Sequence, residues 1–367
     1  MQALILAGGE GTRLRPLTST VPKPVVPLVD RPFLTYMLEW LHRHGVDDVI
    51  LSCGFLADGV RTVLGDGSDL GIRLQYVEEP EPLGTGGALK FAEDLLRERF
   101  FMLNGDVLTD MNLTAQLQQH ERTGARATLA LASVEDPSRY GLVRLNADDS
   151  VKEFLEKPGP EQIDTNLINA GAYVLDRDTL TSMPPAGRRF SIEREVFPLL
   201  VGHGLFGYRA EGYWLDIGTL AGYLQATYDI LECNVETEVG RRLSEAGLTL
   251  AEDGQVDGRL VAPAIAGAGC QVAHGAIVGG RAVLGDRVSV GEGSHIEGSV
   301  LLDGTLVGAH TTISDSIVGR AVTIGDNCHI HGGVVIGDNV RIGSENILAA
   351  GARIFPGVEL PEGAIKF

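Results

Sequence analysis

The residues best suited to chemistry lie near the start of the chain, in the segment LILAGGEGTRLRPLTSTVPKPVVPL at residues 4–28. Three glycines surround the acid Glu10, and three cations follow before the next acid at residue 30: Arg13, Arg15 and Lys23. Glycines let backbone N–H groups approach phosphate oxygens without an intervening side chain, and arginine and lysine neutralise phosphate charge. In a chain whose formal net charge is −19, this acid-free basic segment predicts a phosphate-binding loop.

The spacing of the loop excludes two familiar phosphate-binding designs. A G-x-x-x-x-G-K-[ST] loop counted from Gly8 needs glycine at position 13, where the chain has Arg13. A G-x-G-x-x-G fingerprint counted from Gly9 needs glycine at position 14, where the chain has Leu14. A plain tight turn would explain the glycines, but it would not require three cations. The loop is therefore predicted to bind phosphate by another design.

The elements that must position this loop are those of an α/β domain. Up to about residue 230, short apolar runs such as ALILAG, DVILSCG and FFMLNGD alternate with helical segments such as PFLTYMLEWLHRHG and GGALKFAEDLLRER. That alternation is typical of βαβ units around a mostly parallel sheet. The run ALILAG leads directly into the glycines, and ligands of open parallel sheets bind at the carboxyl ends of strands.

Beyond about residue 251 the apolar residues follow a period of six. They occupy Val272, Val278, Leu284, Val290 and Ile296, and after a slip near residues 297–306 they resume at Val318, Ile324, Ile330, Ile336, Ile342, Leu348 and Ile354. This period indicates a parallel β-helix, since ordinary sandwich strands would not place twelve residues on one stride. The region resembles the left-handed β-helix of hexapeptide-repeat proteins. Its flat faces and open ends are expected to assemble the chain into a homo-oligomer.

Composition limits the domain organisation, the compartment and the partners. A chain of 367 residues predicts two domains, here 1–230 and 251–367, joined by a helical connector at 231–250. The first apolar run, ALILAG, is too short for a signal peptide, lacks a basic region before it and runs into glycines, so we expect no signal peptide; no stretch reaches the roughly 20 apolar residues of a membrane helix. The four cysteines lie far apart, which agrees with a reducing compartment, and we expect a cytoplasmic protein. The negative charge argues against nucleic acid or a membrane as partner.

A series of motifs resembles one family. LAGGEGTRLRPLT followed by PKPVVPL is similar to the signature of sugar-nucleotide pyrophosphorylases, which join a sugar 1-phosphate to a nucleoside triphosphate and release pyrophosphate. The similarity continues through EPLGTGGAL (81–89), NGD (104–106), YG (140–141), EKP (156–158), NAG (169–171), SIEREVFP (191–198) and YWLDIGT (213–219). SIEREVFP and WLDIGT most resemble mannose-1-phosphate guanylyltransferases. The resemblance implies a Rossmann-like nucleotidyltransferase domain followed by a left-handed β-helix, and the conversion of GTP and mannose 1-phosphate to GDP-mannose.

The same resemblance implies the site residues. The residues implied for the nucleotide are Leu6, Ala7, Gly8, Gly9, Gly11, Thr12, Arg13, Glu79, Gly84 and Thr85. Those implied for the sugar phosphate are Gly141, Glu156, Lys157, Asn169 and Gly171, although EKP would also suit a solvated charge pair before a proline turn. The implied catalytic residues are Arg13, Lys23, Asp106 and Asp216. Glu193 falls at a family position whose role stays open.

The chemistry expected of these residues is positioning and charge neutralisation. When a sugar phosphate oxygen attacks the α-phosphorus of a triphosphate, two polyanions meet and no side-chain nucleophile is required. Arg13 offers a planar fork to the β- and γ-phosphates, and Lys23 offers a compact charge to the α-phosphate and the sugar phosphate. Mg²⁺ takes one or two carboxylates plus substrate oxygens, the role implied for Asp106 and Asp216. Without the resemblance, Asp106 would also suit a turn and Asp216 a helix cap.

Glu79 is the candidate reader of the base. An ionised carboxylate accepts two hydrogen bonds side by side, which matches the adjacent N1–H and 2-amino donors of guanine. Uracil and thymine present one donor beside one acceptor, which an amide matches better. Glu78 and Glu81 are the alternative acids in this segment.

Three other functions stay open from the sequence. A UTP- or dTTP-dependent glucose-1-phosphate nucleotidyltransferase would share the motifs and differ in the base it reads. A non-catalytic nucleotide-sugar sensor would be expected to lose the charged loop or the metal acids, which this chain keeps. A bifunctional uridylyltransferase and acetyltransferase would use a histidine of the repeat region, but the sequence announces no acyl-carrier cleft.

Overall fold

A computed structural model of the protein describes residues 1–54, 57–246, 248–250 and 253–366. Residues 251 and 252, where the predicted β-helix domain begins, lie outside the described residues, as do residue 247 of the predicted connector and residue 367. The chain divides into two compact units. The first unit comprises Met1–Glu10 and Leu34–Trp214, and the second comprises Gly11–Phe33 and Leu215–Phe367. The sequence-based boundaries near residues 230 and 251 stay a prediction.

The described residues form α-helices and short β-strands in the following order. The helices are α1 (Phe33–Arg43), α2 (Ala57–Leu64), α3 (Gly84–Phe91), α4 (Leu113–Thr123), α5 (Ile192–Glu195), α6 (Phe197–Leu200), α7 (Leu220–Leu231) and α8 (Glu238–Ala246). The strands before the repeats are β1 (Gln2–Leu6), β2 (Pro27–Leu28), β3 (Arg31–Pro32), β4 (Asp48–Cys53), β5 (Arg73–Glu78), β6 (Arg99–Asn104), β7 (Val107–Thr109), β8 (Ala127–Ser133), β9 (Gly141–Leu145), β10 (Val151–Glu156), β11 (Leu167–Asp176), β12 (Leu205–Arg209) and β13 (Trp214–Asp216). The strands of the repeat region are β14 (Leu248–Leu250), β15 (Gln255–Val256), β16 (Arg259–Val261), β17 (Ala264–Ala266), β18 (Gln271–Val272), β19 (Ile277–Gly279), β20 (Ala282–Leu284), β21 (Ser289–Val290), β22 (His295–Glu297), β23 (Val300–Leu301), β24 (Leu306–Val307), β25 (Thr312–Ser314), β26 (Ile317–Val318), β27 (Thr323–Ile324), β28 (His329–Ile330), β29 (Val335–Ile336), β30 (Arg341–Ile342), β31 (Ile347–Leu348), β32 (Arg353–Ile354) and β33 (Glu359–Leu360).

The first unit is built on a mixed sheet. Strands β5, β4, β1 and β6 are neighbours and run parallel, as the alternating pattern predicts. Beyond β6, strand β11 runs antiparallel to β6, β8 and β9, and β10 runs antiparallel to β9. The expectation of a mostly parallel sheet is therefore met from β6 to β5, whereas the other side is mixed and has β12 parallel to β8 beside its antiparallel pairs. Residues 146–150, which join β9 and β10, are too few for the crossover that a parallel pair requires.

The core of the first unit lies on both faces of this sheet. Ala3, Leu4 and Ile5 of β1 are fully buried, as expected for a central strand covered on both sides. The predicted helix at residues 32–45 forms as α1, whereas the run GGALKFAEDLLRER leaves the α-helix after Phe91 and continues as a 3₁₀ turn at Glu93–Leu95. No helix among the described residues is long and apolar enough to cross a membrane.

The repeat region of the second unit is a parallel β-helix, as predicted. Its described strands form three parallel sheets, each built by every third strand. The inward residues lie five apart at Ile296 and Leu301 and again at Ile313 and Val318, instead of six apart. These two shortened corners are the physical cause of the slip in the repeat, because they reduce the coil from 18 residues to 17.

Helix α7 packs beside the shortened corners. The single O–H of Tyr228 is shared between two acceptors, the Gly298 carbonyl oxygen at 2.6 Å and Asp315 Oδ1 at 3.1 Å. The Arg281 guanidinium lies 4.4 Å from the centre of the Tyr228 ring. Helix α8 then forms within the segment predicted as a helical connector, and both α7 and α8 belong to the unit that contains the β-helix.

Candidate active site

The carboxyl end of β1 places Leu6, Ala7, Gly8 and Gly9 in the first unit. The Ala7 N–H still donates to the Ser52 carbonyl at 2.8 Å, so the chain leaves the sheet at the first glycine. A Cβ on Gly8 would lie 3.0 Å from Glu79 Oε1, whereas one on Gly9 would meet no atom within 4 Å. The absence of a side chain at Gly8 therefore allows the predicted base reader to lie directly against the loop.

Glu79 is held in a fixed orientation. Its Oε1 accepts a hydrogen bond from the Ser52 hydroxyl (2.8 Å), and its Oε2 accepts one from the Leu83 N–H (3.0 Å). Its side chain is half-buried, whereas Glu78 and Glu81 are exposed. Each carboxylate oxygen has a second lone pair. Of the three candidate acids, Glu79 is thus the one that the surrounding chain orients for further hydrogen bonds.

The segment GTGG begins helix α3 against Phe190. Gly84 has φ of +73°, and a Cβ there would lie 2.7 Å from the Phe190 carbonyl oxygen, so this turn requires glycine. The N–H groups of Gly86 and Gly87 donate to the same carbonyl at 3.1 and 3.3 Å. These contacts fix the start of α3 relative to the segment before α5.

Thr85 and Ser191 both hydrogen-bond to Glu193. Their hydroxyls each donate to Glu193 Oε2 at 2.6 Å, and the Thr85 hydroxyl also accepts from the Ile192 N–H at 3.0 Å. Glu193 is only 9% exposed. The single O–H of Thr85 is thus used inside the protein, and its assigned nucleotide role stays a prediction. The motif SIEREVFP marked Glu193 in the sequence but carried no sign of these partners.

The candidate sugar pocket contains a half-buried carboxylate. Glu156 ends β10 and pairs with Gly141 at the start of β9, where a Cβ would lie 2.9 Å from Glu156 Oε2. Burial, aided by the nearby charge of Glu193, raises the pKa of Glu156, and Arg194 and Lys157 oppose the rise. The side chain of Lys157 is exposed. Two of the predicted sugar-site residues, Gly141 and Glu156, are therefore in contact, and Lys157 is next to them along the chain.

The NAG motif lies on an irregular part of β11. The register of β11 against β8 shifts between Asn169 and Tyr173. Asn169 donates from Nδ2 to the Tyr173 hydroxyl (2.8 Å) and accepts at Oδ1 from the Gly171 N–H (3.2 Å). Gly171 has φ of +74°, and a Cβ there would lie 2.8 Å from Asn104 Nδ2, so this close approach also requires glycine. The structure thus brings the predicted Asn169 and Gly171 together with Tyr173 and Asn104, which the sequence did not assign.

Tyr173 and Asn104 complete this polar network. Tyr173 is fully buried, and its burial raises the pKa of its hydroxyl well above the usual value. Asn104 Oδ1 is buried and has no hydrogen-bond partner within the described part of the chain. Buried polar atoms are nearly always paired, so an unpaired acceptor beside the NAG motif is a candidate contact for a ligand donor.

Asp106 follows Asn104 in the turn after β6. The intervening Gly105 donates to the Leu6 carbonyl (3.0 Å), and a Cβ there would lie 2.7 Å from that oxygen. The NGD turn therefore packs on the end of β1, and the half-buried Asp106 lies in this turn. Both interpretations of Asp106 from the sequence, a turn residue and a site acid, agree with this location.

The three cations of the predicted phosphate loop, Arg13, Arg15 and Lys23, lie in the second unit. Gly11 accepts a hydrogen bond at its carbonyl from the Thr18 hydroxyl (2.7 Å), and the turn Thr12–Leu14 follows it. The side chains of Thr12 and Arg13 are exposed. Lys23 begins the third 3₁₀ turn of this segment, at Lys23–Val25, and its Cβ lies 3.1 Å from the position of a Cβ on Gly11.

Asp216 lies beside Arg13 in the same unit. A Cβ on Gly218 would lie 2.5 Å from Arg13 Nη2 and 2.7 Å from Asp216 Oδ1, so the two charged groups are neighbours. The Gly218 N–H donates to Asp216 Oδ1 at 2.6 Å, which orients the carboxylate. The N-terminus of α7 is capped by Thr219, which accepts from the Gly222 N–H at 3.1 Å. The alternative interpretation of Asp216 as a helix cap is therefore wrong.

The proposed metal acids are suitable donors for Mg²⁺. Asp106 and Asp216 are half-buried carboxylates, the ligand type that this ion prefers, and they belong to different units. No group of three or more histidine, cysteine, aspartate or glutamate side chains that could hold a metal occurs among the described residues. Mg²⁺ also takes substrate oxygens and so does not require such a group, and each of the two acids fits the ion by donor type.

Two family descriptions match this chain. The one described as Nucleotidyl transferase matches residues 2–233, and the one described as GMPPB C-terminal domain matches residues 260–365. A mannose-1-phosphate guanylyltransferase of Mycobacterium tuberculosis is 37% identical and matches 100% of this chain and 98% of its own length. A mannose-1-phosphate guanyltransferase of Candida albicans is 35% identical, with 97% of this chain and 96% of that protein covered.

Solved structures resemble the chain over part of its length. HddC from Yersinia pseudotuberculosis complexed with GMP-PN is 29% identical, with a TM-score of 0.53 over 61% of this chain and 97% of that chain. A putative glucose-1-phosphate thymidylyltransferase from Bacillus anthracis in complex with a sucrose is 25% identical, with a TM-score of 0.56 over 62% of this chain and 93% of that chain.

Proposed function

Since this chain belongs to the nucleotidyl transferase family, we propose that it transfers a guanylyl group from GTP to mannose 1-phosphate, giving GDP-mannose and pyrophosphate. One observation carries the proposal: relatives named for this activity match the chain from end to end, through the repeat region as well as the α/β part. The family and the fold expected from the motifs are thereby confirmed.

Guanine is read by Glu79 in this proposal. Ser52 and Leu83 orient its carboxylate, and Gly8 leaves the space beside it open. The second lone pairs of the two oxygens accept the N1–H and 2-amino donors of guanine. Leu6, Ala7, Gly9 and Gly84 contribute backbone to the nucleotide site.

The polyphosphate is bound by the cationic loop. Gly11 and Thr12 offer backbone N–H groups, Arg13 binds the β- and γ-phosphates, and Lys23 neutralises the α-phosphate and the incoming sugar phosphate. When bound, Mg²⁺ held by Asp106 and Asp216 supplies further neutralisation of phosphate charge. The chain supplies no nucleophile, so its contribution is to align the sugar phosphate oxygen with the α-phosphorus.

Mannose is bound by the polar groups around the NAG and EKP motifs. Glu156 and Asn169 accept hydrogen bonds from sugar hydroxyls, and Lys157 binds the sugar phosphate. Gly141 and Gly171 belong to the same proposed pocket, where the absence of a side chain lets Glu156 and Asn104 approach the backbone. Support comes from the raised pKa of Glu156 and from the network that holds Asn169 in place, because both indicate polar groups prepared in a partly dehydrated pocket.

The nucleoside triphosphate and the sugar are tested in one experiment. Purified protein is incubated with Mg²⁺ and every pairing of GTP, UTP, dTTP and ATP with mannose 1-phosphate and glucose 1-phosphate, and pyrophosphate release is measured. The proposal expects the highest kcat/KM for GTP with mannose 1-phosphate. A preference for UTP or dTTP with glucose 1-phosphate would overturn it, and absence of release in every pairing would favour a sensor.

We also propose that the enzyme works in the cytoplasm as a homo-oligomer assembled through the β-helix. The flat sheets of the repeat region offer a regular surface for a second copy, and Leu306 on one of them is 48% exposed. Light scattering of the full chain should give a multiple of 39.1 kDa. A mass of one chain at working concentration would contradict the assembly.

A further inference from the structure

The cationic segment 11–33 is attached to the β-helix at two positions near Arg13 and Lys23 in the sequence. The Thr20 hydroxyl donates to Asp338 Oδ2 at 2.9 Å, across 318 positions of sequence. Arg353 Nη1 donates to the Arg15 carbonyl at 3.4 Å. Thr20 lies three positions before Lys23, and Arg15 lies two positions after Arg13. Each attachment is therefore within three positions of one cation.

The rest of the segment is attached to the helices of the same unit. The hydroxyl of Tyr223, on α7, donates to the Pro27 carbonyl at 2.5 Å, and Tyr223 is fully buried. Arg242, on α8, forms an ion pair with Asp30. The segment is thus fastened along its length to the unit that contains the β-helix.

Asp338 lies at a corner of the β-helix, as Asp326 does, and its bond to Thr20 distinguishes it from Asp326. Its Oδ1 accepts from the Arg320 N–H at 2.8 Å, just as Asp326 Oδ1 accepts from the Ala309 N–H at 2.7 Å. That bond closes a corner between neighbouring coils and is common to both residues. In Asp338 the second oxygen is also used, and it bonds the cationic segment.

We propose that Asp338 and Arg353 are positioning residues for the phosphate-binding segment, so that the β-helix takes part in catalysis by holding Arg13 and Lys23 in place. This inference rests on the proposed function, because it assigns the two cations to the polyphosphate. Catalysis by charge neutralisation depends on placement, and misplacement by about 1 Å can cost about 100-fold in rate. A hydrogen bond near the surface contributes little to folding, so its loss should loosen the segment without unfolding the chain.

The test uses variants that remove the attachment and controls that do not. Thr20→Val removes the hydroxyl at nearly constant shape, whereas Thr20→Ser keeps a hydroxyl and removes only the methyl group. Asp338→Ala removes the corner bond and the attachment, whereas the matched control Asp326→Ala removes only an equivalent corner bond. Arg353→Gln removes the guanidinium, and Arg341→Gln is its control, since Arg341 contacts Glu359 of the neighbouring coil.

The readouts are kcat and KM for GTP and for mannose 1-phosphate, together with the unfolding temperature. Thr20→Val and Asp338→Ala should lower kcat and kcat/KM in parallel by about 3- to 10-fold, because positioning serves the transition state. Thr20→Ser should recover most of the loss. Asp326→Ala should show the same change in unfolding temperature as Asp338→Ala with kcat unchanged. Equal kcat in the Asp338 and Asp326 variants, or full activity of Thr20→Val, would overturn the inference.

Hydrogen exchange separates this inference from the proposed function. Amides of residues 11–33 should exchange faster in Thr20→Val and Asp338→Ala than in the wild type or in Asp326→Ala. If the wild type released no pyrophosphate from any substrate pair, the proposed function would fail, and the exchange data would still decide whether the β-helix holds the segment. Unchanged exchange in both variants would refute the attachment.

Discussion

Replacing Glu79 by glutamine tests the assigned base reader with a change of a single group. Glutamine has nearly the same shape as glutamate, and its amide oxygen can still accept from the Leu83 N–H. Its NH₂ group then faces the Ser52 hydroxyl, which can rotate to accept instead of donate. The local fold therefore keeps both hydrogen bonds, and we expect the free energy of unfolding to change by less than about 1 kcal/mol.

We expect the substitution to weaken the binding of guanine more than it weakens the fold. In the proposed complex both oxygens of the wild-type carboxylate accept from the base, whereas the variant presents one acceptor and one donor. One guanine donor then meets the amide NH₂ of Glu79→Gln without a partner, at a cost of about 1 to 3 kcal/mol. That cost corresponds to a loss of about 5- to 150-fold in kcat/KM for GTP. Use of UTP or dTTP should fall less, or rise, because an amide matches their donor and acceptor.

The assay is pyrophosphate release at fixed mannose 1-phosphate with GTP, UTP or dTTP varied. The loss should lie mainly in KM for GTP, because the base is remote from the reacting phosphate. Glu78→Gln is the matched control, since Glu78 is adjacent and exposed and its nearest cation is Arg61 at 3.9 Å. An equal loss with all three triphosphates, or a loss in the Glu78 variant and none in the Glu79 variant, would show that the base is read elsewhere.

Further substitutions test the metal acids and the sugar pocket. Asp106→Asn and Asp216→Asn should each lower turnover by about two or more orders of magnitude with little change in unfolding temperature, and normal turnover would remove that residue from the metal site. Because burial raises the pKa of Glu156, the folded state holds its proton more tightly than the unfolded state, so stability falls as pH rises from 4.5 through the raised pKa. Glu156→Gln should therefore raise the unfolding temperature at pH 7 and not below pH 4.5, while KM for mannose 1-phosphate rises; a lower unfolding temperature at pH 7 would contradict this. Glu193→Gln should weaken its bonds to the Thr85 and Ser191 hydroxyls and lower the unfolding temperature at pH 7, and an unchanged temperature would argue against a structural role.

Several local features of the candidate site could be predicted from the sequence because short motifs carry local geometry. Glycines at Gly84 and Gly171 stand where the backbone has positive φ, and the strand before Gly8 ends where the loop begins. The Asp216 carboxylate and the Arg13 guanidinium were both assigned from motifs, and the structure brings them together. Other partners left no local signal. Tyr173 bonds Asn169, and Asn104 lies against Gly171, at the register shift of β11.

The sequence by itself determined the stride of the repeat region, since a period of six with inward apolar residues has one stable solution, in which stacked coils bury a continuous core. It also determined which residue types are available to the proposed substrate site. Only the tertiary structure decided which unit holds the cationic segment. Thr20 and Asp338 are 318 positions apart, and no periodicity or composition connects them. Such a contact is set by the packing of whole elements, which places side chains together irrespective of their distance along the chain.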